Sequence, residues 1–190
     1  NMEDFLPENL RNEYFVYKTL RAGRVYLLLK YDKTSPIIFK KPKHNGRREK
    51  EHIKLEIAVT DYLSKYPYCR DNFLLPTAKN KENSASYPYL IYDYLPNGSL
   101  EQQINLGAFD YTADSKKVIN LFLRQLDCVD ELSQFGLFHS DLSTSNFLLD
   151  NQFNPKLCDF SCTTVATDIE RGYLMKYAPD IVEICDFFSE

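Results

Sequence analysis

Two short stretches hold the residues best suited to chemistry. His139-Ser140-Asp141-Leu142-Ser143-Thr144-Ser145-Asn146 comes first, and Asp159-Phe160-Ser161 follows it. Between them, residues 147–149 and 156–158 read as a β-hairpin joined by Asp150-Asn151-Gln152-Phe153-Asn154-Pro155. Pairing Leu149 with Lys156 sets Phe147 against Cys158 and leaves Asn146 and Asp159 side by side at the open end. An amide oxygen and a carboxylate held this way suit Mg²⁺. Asp141 lies five residues before Asn146, on the loop that feeds the same edge. Two oxygen ligands and a further carboxylate able to accept a hydroxyl proton are the set that phosphoryl transfer needs.

These groups need elements to position them. In the first half, Val25–Lys30 and residues 36–41 read as strands, with Asp32, Lys33 and Thr34 turning between them. Residues 47–66 read as a helix that stops before Pro67. Its first half is charged, and its second half sets Ile53, Ile57, Thr60 and Leu63 at helical spacing. Residues 72–77 and 87–94 read as two more strands, and the polar stretch 78–87 as an exposed turn. In the second half, Val118, Phe122, Leu126, Val129 and Leu132 recur every three or four residues and Gly136 closes the run. That pattern predicts a long core-facing helix. The change of pattern at Pro96-Asn97-Gly98 divides the chain into residues 1–95 and 96–190.

Composition narrows the possibilities further. A chain of 190 residues with 44% hydrophobic and 26% charged residues is globular. Its 23 Lys and Arg against 27 Asp and Glu give a net charge of −4, which argues against an electrostatic grip on nucleic acid. No apolar run approaches the roughly 20 residues that span a bilayer, and the acidic start (Asn1, Met2, Glu3, Asp4) has no signal-peptide core. Five cysteines (Cys69, Cys128, Cys158, Cys162 and Cys185) without a C-x-x-C pair read as reduced thiols of a cytosolic protein. The three histidines (His44, His52 and His139) share no metal-site spacing. Only six glycines occur, no two of them close, which excludes both a full G-x-G-x-x-G loop and a Walker A loop.

On the residues 139–146 and 159–161, the chain resembles the protein-kinase family, whose catalytic loop has the form H-x-D-L-x-x-x-N followed by D-F-G. The resemblance implies an α+β, bilobal fold. A small antiparallel-sheet N-lobe with one helix would precede a truncated, mainly helical C-lobe. It also implies Asp141 as catalytic base and Asn146 and Asp159 as Mg²⁺ ligands. Ile37-Ile38-Phe39-Lys40 resembles the V-A-I-K strand, so Lys40 would hold the inner phosphates of ATP. Lys41 follows directly, but side chains alternate along a strand, so only one of the two can face the nucleotide. Glu56, flanked by Leu55 and Ile57, resembles the helix glutamate that pairs with that lysine, ahead of Glu49 and Glu51. The run from Tyr89 to Leu100 resembles the strand that enters the hinge. Tyr92 would then be the gatekeeper, with the backbone of Asp93 and Leu95 meeting the adenine edge. Gly23-Arg24-Val25-Tyr26 resembles the end of the glycine-rich loop, and Val25, Ile38 and Leu148 complete the nucleotide contacts that the resemblance implies. Tyr177-Ala178-Pro179-Asp180 resembles A-P-E.

The resemblance covers about residues 12–189, where a usual kinase has several helices still to come. In that brevity it resembles the minimal effector kinases that bacterial pathogens place in host cells. A host or regulatory protein completing the short C-lobe is then expected near Ile181, Phe187 and Phe188. Four departures stand out. Gly23 is the one glycine kept in its loop, Ser140 replaces an arginine, Ser143 and Ser145 stand where cations are common, and Ser161 replaces the glycine of D-F-G. Loss of the arginine implies an activity not switched by activation-segment phosphorylation. Three functions fit these residues. The first is an ATP- and Mg²⁺-dependent protein kinase acting on Ser/Thr ahead of Tyr. The others are a pseudokinase scaffold and a small-molecule phosphotransferase.

Overall fold

A computed structural model describes residues 3–81 and 86–190. The chain divides into two compact units. The first comprises residues 1–57 and 76–94, and the second 58–75 and 95–190.

In the first unit, a short helix α1 (Glu8–Arg11) precedes strands β1 (Tyr14–Arg21), β2 (Val25–Lys30) and β3 (Ile37–Lys40). Helix α2 (Arg47–Ser64) follows, its last turns grouping with the second unit, and then β4 (Ala78–Asn80) and β5 (Tyr89–Asp93). The five strands form one antiparallel sheet in the order β1-β2-β3-β5-β4. The β2–β3 turn sits where expected, with Asp32 Oδ1 accepting from the backbone N–H of Thr34. Leu6, Leu10, Val16, Tyr26, Leu28 and Phe39 form the core under the sheet, with the Phe5 ring tilted against Tyr26 at 4.5 Å and that of Tyr89 against Phe39 at 5.2 Å. Burial of such side chains contributes roughly 1.5–3 kcal/mol each.

Two expectations in this region need correction. Residues 72–77 are not a strand, because Leu74 N–H bonds to Leu157 O and Leu157 N–H to Asn72 O, so this stretch runs beside another segment with a single bridge at Phe73. The ladder to β5 begins only at Ala78, after Pro76. The polar stretch 78–87 is therefore not one turn: 78–80 are β4, and residues 82–85 lie outside the described residues.

The second unit holds α3 (Leu100–Asn105), α4 (Ser115–Gln134), β6 (Leu137–Phe138), β7 (Phe147–Leu149), β8 (Pro155–Leu157), β9 (Thr164–Val165), α5 (Asp168–Tyr177) and α6 (Pro179–Ser189). Ser99 starts α3 with a capping box to Gln102. Gly136, at φ +77°, ends α4 in the left-handed region that glycine adopts without penalty. Cys128, Leu132, Leu137, Phe147, Leu149, Leu157, Leu174, Ile181 and Val182 are buried, and Phe73 meets Phe160 edge to face at 5.8 Å.

The long helix is present, but it is not core-facing along the predicted stripe. Phe122 and Leu126 are exposed, and only Cys128 and Leu132 of α4 are buried. Periodicity identifies an apolar face but not what covers it. Ile181 is correspondingly not exposed: it is buried, and Phe187 and Phe188 are half-buried.

Candidate active site

In the first unit the sheet register carries the site. Val25 pairs with Lys40, Ile38 lies between Leu27 and Tyr92, and Ile37 pairs with Asp93. Strand alternation sends Lys40 and Lys41 to opposite sides. Lys40 Nζ donates to Glu56 Oε1 at 2.9 Å. Lys41 instead lies 5.4 Å from the Phe5 ring centroid and 5.9 Å from that of Tyr87, and its Nζ donates to Pro42 O. Burial there pushes the Lys41 ammonium below its ordinary value.

Glu56 is fully buried, and it accepts a second bond from Tyr92 Oη to Oε2 at 2.9 Å. A buried carboxylate needs such partners, since desolvation alone would cost several kcal/mol. Sequence spacing singles out Glu56 but gives no sign of the tyrosine bond, because the register between β3 and β5 creates it. Gly23 stands in the β1–β2 turn at φ +75°, which Arg24 N–H closes onto Arg21 O. A Cβ there would sit 3.0 Å from Lys43 Cγ.

In the second unit, the loop between β6 and β7 is held by its own side chains. Buried His139 uses Nε2 on Cys158 O at 2.8 Å, while its Nδ1 accepts from Asp141 N–H at 3.2 Å. The tautomer with hydrogen on Nε2 satisfies both bonds. Asn146 is buried, and its Nδ2 donates to Asp141 O at 2.8 Å. Asp141 is thus fastened through N–H and C=O while its side chain stays exposed. The motif alone leaves His139 without a role, and this packing supplies one.

The hairpin register differs from expectation by one residue. Leu149 pairs with Pro155, Leu148 with Lys156 and Phe147 with Leu157. Asp150 decides this, because its Oδ1 accepts the N–H groups of Gln152 and Asn154 and closes a tighter turn than six residues would make. Asn146 O consequently accepts from Cys158 N–H at 2.9 Å, and Asp159 follows directly. Asn146 is therefore set opposite Cys158 and not beside Asp159, which lies one residue farther along. Asp159 adopts φ +62°, and its Oδ1 accepts from Ser161 Oγ at 2.6 Å. The serine that replaces glycine here contributes a hydroxyl to the aspartate.

The other nucleotide candidates lie in their own units. Asp93 is exposed at the end of β5, and Leu95 is half-buried with its carbonyl accepting from Gly98 N–H. Leu148 is half-buried on β7. Among the described residues, no group of three or more His, Cys, Asp or Glu could hold a metal. Asn146 and Asp159 would offer an amide oxygen and a carboxylate, hard donors that suit Mg²⁺ rather than a softer metal.

The family model "Protein kinase domain" matches residues 21–180. The chain belongs to the protein-kinase family. A cysteine-rich receptor-like protein kinase of Oryza sativa subsp. japonica is 36% identical over 83 residues, covering 40% of this chain and 11% of that protein. A Pelle-like serine/threonine-protein kinase of Caenorhabditis elegans is 31% identical over 119 residues, 61% of this chain and 23% of that one. An L-type lectin-domain containing receptor kinase of Arabidopsis thaliana is 28% identical over 141 residues, 73% of this chain and 20% of that one. These alignments take in a quarter or less of each relative. Among the described residues of this kinase-family chain, no helix is long and apolar enough to cross a membrane.

Proposed function

We propose that the chain is an ATP- and Mg²⁺-dependent protein kinase that transfers a phosphoryl group to a protein hydroxyl, serine or threonine in preference to tyrosine. The observation that carries this reading is the presentation of Asp141, exposed and fixed through its backbone by His139 and Asn146. A carboxylate so placed can accept the proton of an attacking hydroxyl. Lys40, oriented by Glu56, would take the inner phosphates. Val25, Ile38 and Leu148 would contact the base beside Tyr92, with the backbone of Asp93 and Leu95 meeting its edge and the Gly23 turn over the phosphates. Asn146 and Asp159 would hold Mg²⁺, which when bound supplies positive charge against the triphosphate. Residues 1–95 would then serve the nucleotide and 96–190 the chemistry. The likeness to a Pelle-like serine/threonine-protein kinase supports the choice of hydroxyl. Free thiols at Cys69, Cys128 and Cys185 support a reducing compartment such as a cytosol.

A second reading, a nucleotide-holding scaffold without turnover, is favoured by the β1–β2 turn. One glycine and a closed Arg24-to-Arg21 bond leave few N–H groups to wrap phosphates. Labelled ATP and Mg²⁺ with a cell lysate, beside Asp141→Ala, tests both. Label on protein that vanishes in the variant supports the kinase. A raised Tm with ATP but no transfer supports the scaffold, and label on small metabolites alone overturns both.

A further inference from the structure

The outer face of α4 carries more apolar surface than an unpartnered helix needs. Ile119 is 58% exposed, Phe122 57%, Leu123 51% and Leu126 48%. Their spacing, i, i+3, i+4 and i+7, places all four on one side of the helix. The buried residues Cys128 and Leu132 lie on the other side, where α4 packs on β6 and β8. Single exposed hydrophobes are ordinary, but a contiguous two-turn stripe marks an interaction surface.

The charges at the ends of the stripe indicate what fits it. Lys116 precedes Leu123 by seven residues and Asp130 follows it by seven. Both are exposed, and seven residues is close to two helical turns, so both lie on the stripe side. Asp127 adds a second acid at the same end, and Asp130 also accepts from Gln134 Nε2. Lys117 differs, lying 5.7 Å from the centroid of the Phe153 ring, toward the β7–β8 turn. A parallel partner helix of the same sequence would set lysine against lysine and acid against acid. An antiparallel one, with Leu123 on Leu123 at the axis, sets Lys116 of each copy against Asp130 of the other. The face is therefore complementary to itself about a two-fold axis, which an isologous dimer requires.

We infer that this face of α4 binds a second copy of the chain, helix against antiparallel helix, with Ile119, Phe122, Leu123 and Leu126 as the apolar seam. Light scattering or sedimentation equilibrium of the full chain tests it between about 1 and 100 μM, the range in which micromolar dimers become populated. A concentration-dependent dimer is expected. Leu123→Asp should give a monomer with unchanged circular dichroism and melting, because the side chain is half out of the fold already. Lys116→Glu and Asp130→Lys should each raise the dissociation constant at least about tenfold. The double variant Lys116→Glu/Asp130→Lys should restore it, since the swapped charges again oppose across the axis. A wild-type monomer throughout the range overturns the inference. So does a dimer indifferent to Leu123→Asp, or a double variant no better than its parents.

Discussion

The hydroxyl oxygens of Ser140 and Thr164 lie 2.7 Å apart. Ser140 directly precedes Asp141, at the position where the kinase family commonly carries an arginine, and Thr164 opens β9. The same two segments are joined by backbone pairing of Phe138 with Thr164 and Leu137 with Val165, and by Ala166 N–H on Gly136 O. The segment after Asp159 is therefore tied to the 139–146 loop by neutral groups.

Phosphotransfer should accordingly be insensitive to phosphatase treatment of the purified protein. Thr164→Val removes one exposed neutral hydrogen bond and should lower stability by about 1 kcal/mol or less. Thr164→Glu sets a carboxylate beside the neutral hydroxyl of Ser140, and should reduce activity rather than mimic activation. A large gain of activity in Thr164→Glu, or a loss on dephosphorylation, would show that the segment is switched after all.

Lys40→Met leaves the buried Glu56 carboxylate without its ammonium partner. Removing one member of a buried pair costs about 3–5 kcal/mol, so urea denaturation should show a large loss beside any loss of activity. Tyr92→Phe deletes the bond to Oε2 and should cost about 1 kcal/mol. If Tyr92→Phe proves as destabilising as Lys40→Met, the lysine is not the dominant partner.

Asp141→Asn keeps the size of the side chain and the backbone bonds to His139 and Asn146. Transfer should fall by about 10²–10⁴-fold, the usual contribution of a positioned base, while melting stays within a degree or so of wild type. A large fall in melting temperature would assign Asp141 a structural part that its exposure does not suggest.

Arg171 donates two bonds to Asp186, Nη1 to Oδ1 at 2.5 Å and Nη2 to Oδ2 at 2.6 Å. These bonds hold the Asp186 carboxyl below its ordinary value of 3.8. A depressed carboxyl stabilises the fold above the ordinary value and loses that contribution as pH falls through the folded one. Wild type should therefore melt above Asp186→Asn near pH 6, and the gap should close as the solution is taken below 3.8. A gap that widens on acidification would reverse the sign of the argument.

Thiol chemistry should separate the five cysteines. Burial pushes Cys69 up to about 12, and Cys128 and Cys185 up to about 11. Those three should react slowly with a maleimide at neutral pH, while exposed Cys162 reacts first. Fast labelling of Cys128 in the native protein, located by peptide mapping, would mean that the base of α4 opens readily.

Much of the framework that carries the candidate residues is readable from residue types because local rules determine it. Val25–Lys30 is found as a strand residue for residue, and alternation along β3 separates Lys40 from Lys41. Ile53, Ile57, Thr60 and Leu63 are all buried, as helical spacing requires. The hairpin slips by one because its register rests on the Asp150 carboxylate, a side-chain cap that hydrophobic pattern does not register. Strand β1 escapes detection because it lies at the sheet edge and most of its residues are exposed, so it has no alternation to read. The α4 stripe misleads for the opposite reason: its period is clear, but its burial depends on neighbours far along the chain.

The tight turn at Asp150–Asn154 also bears on how the chain reaches its fold. Asn146 and Asp159 are thirteen residues apart and joined through one hairpin. Closure entropy grows as about (3/2)RT ln n, so bringing them together costs about 2 kcal/mol less than joining groups roughly 120 residues apart. Hairpins of this kind close in about 1–10 μs. The closure of Asn146 on Cys158 can thus form early from its own stretch of chain, and hydrogen exchange at Cys158 N–H, bonded to Asn146 O, reports on it directly.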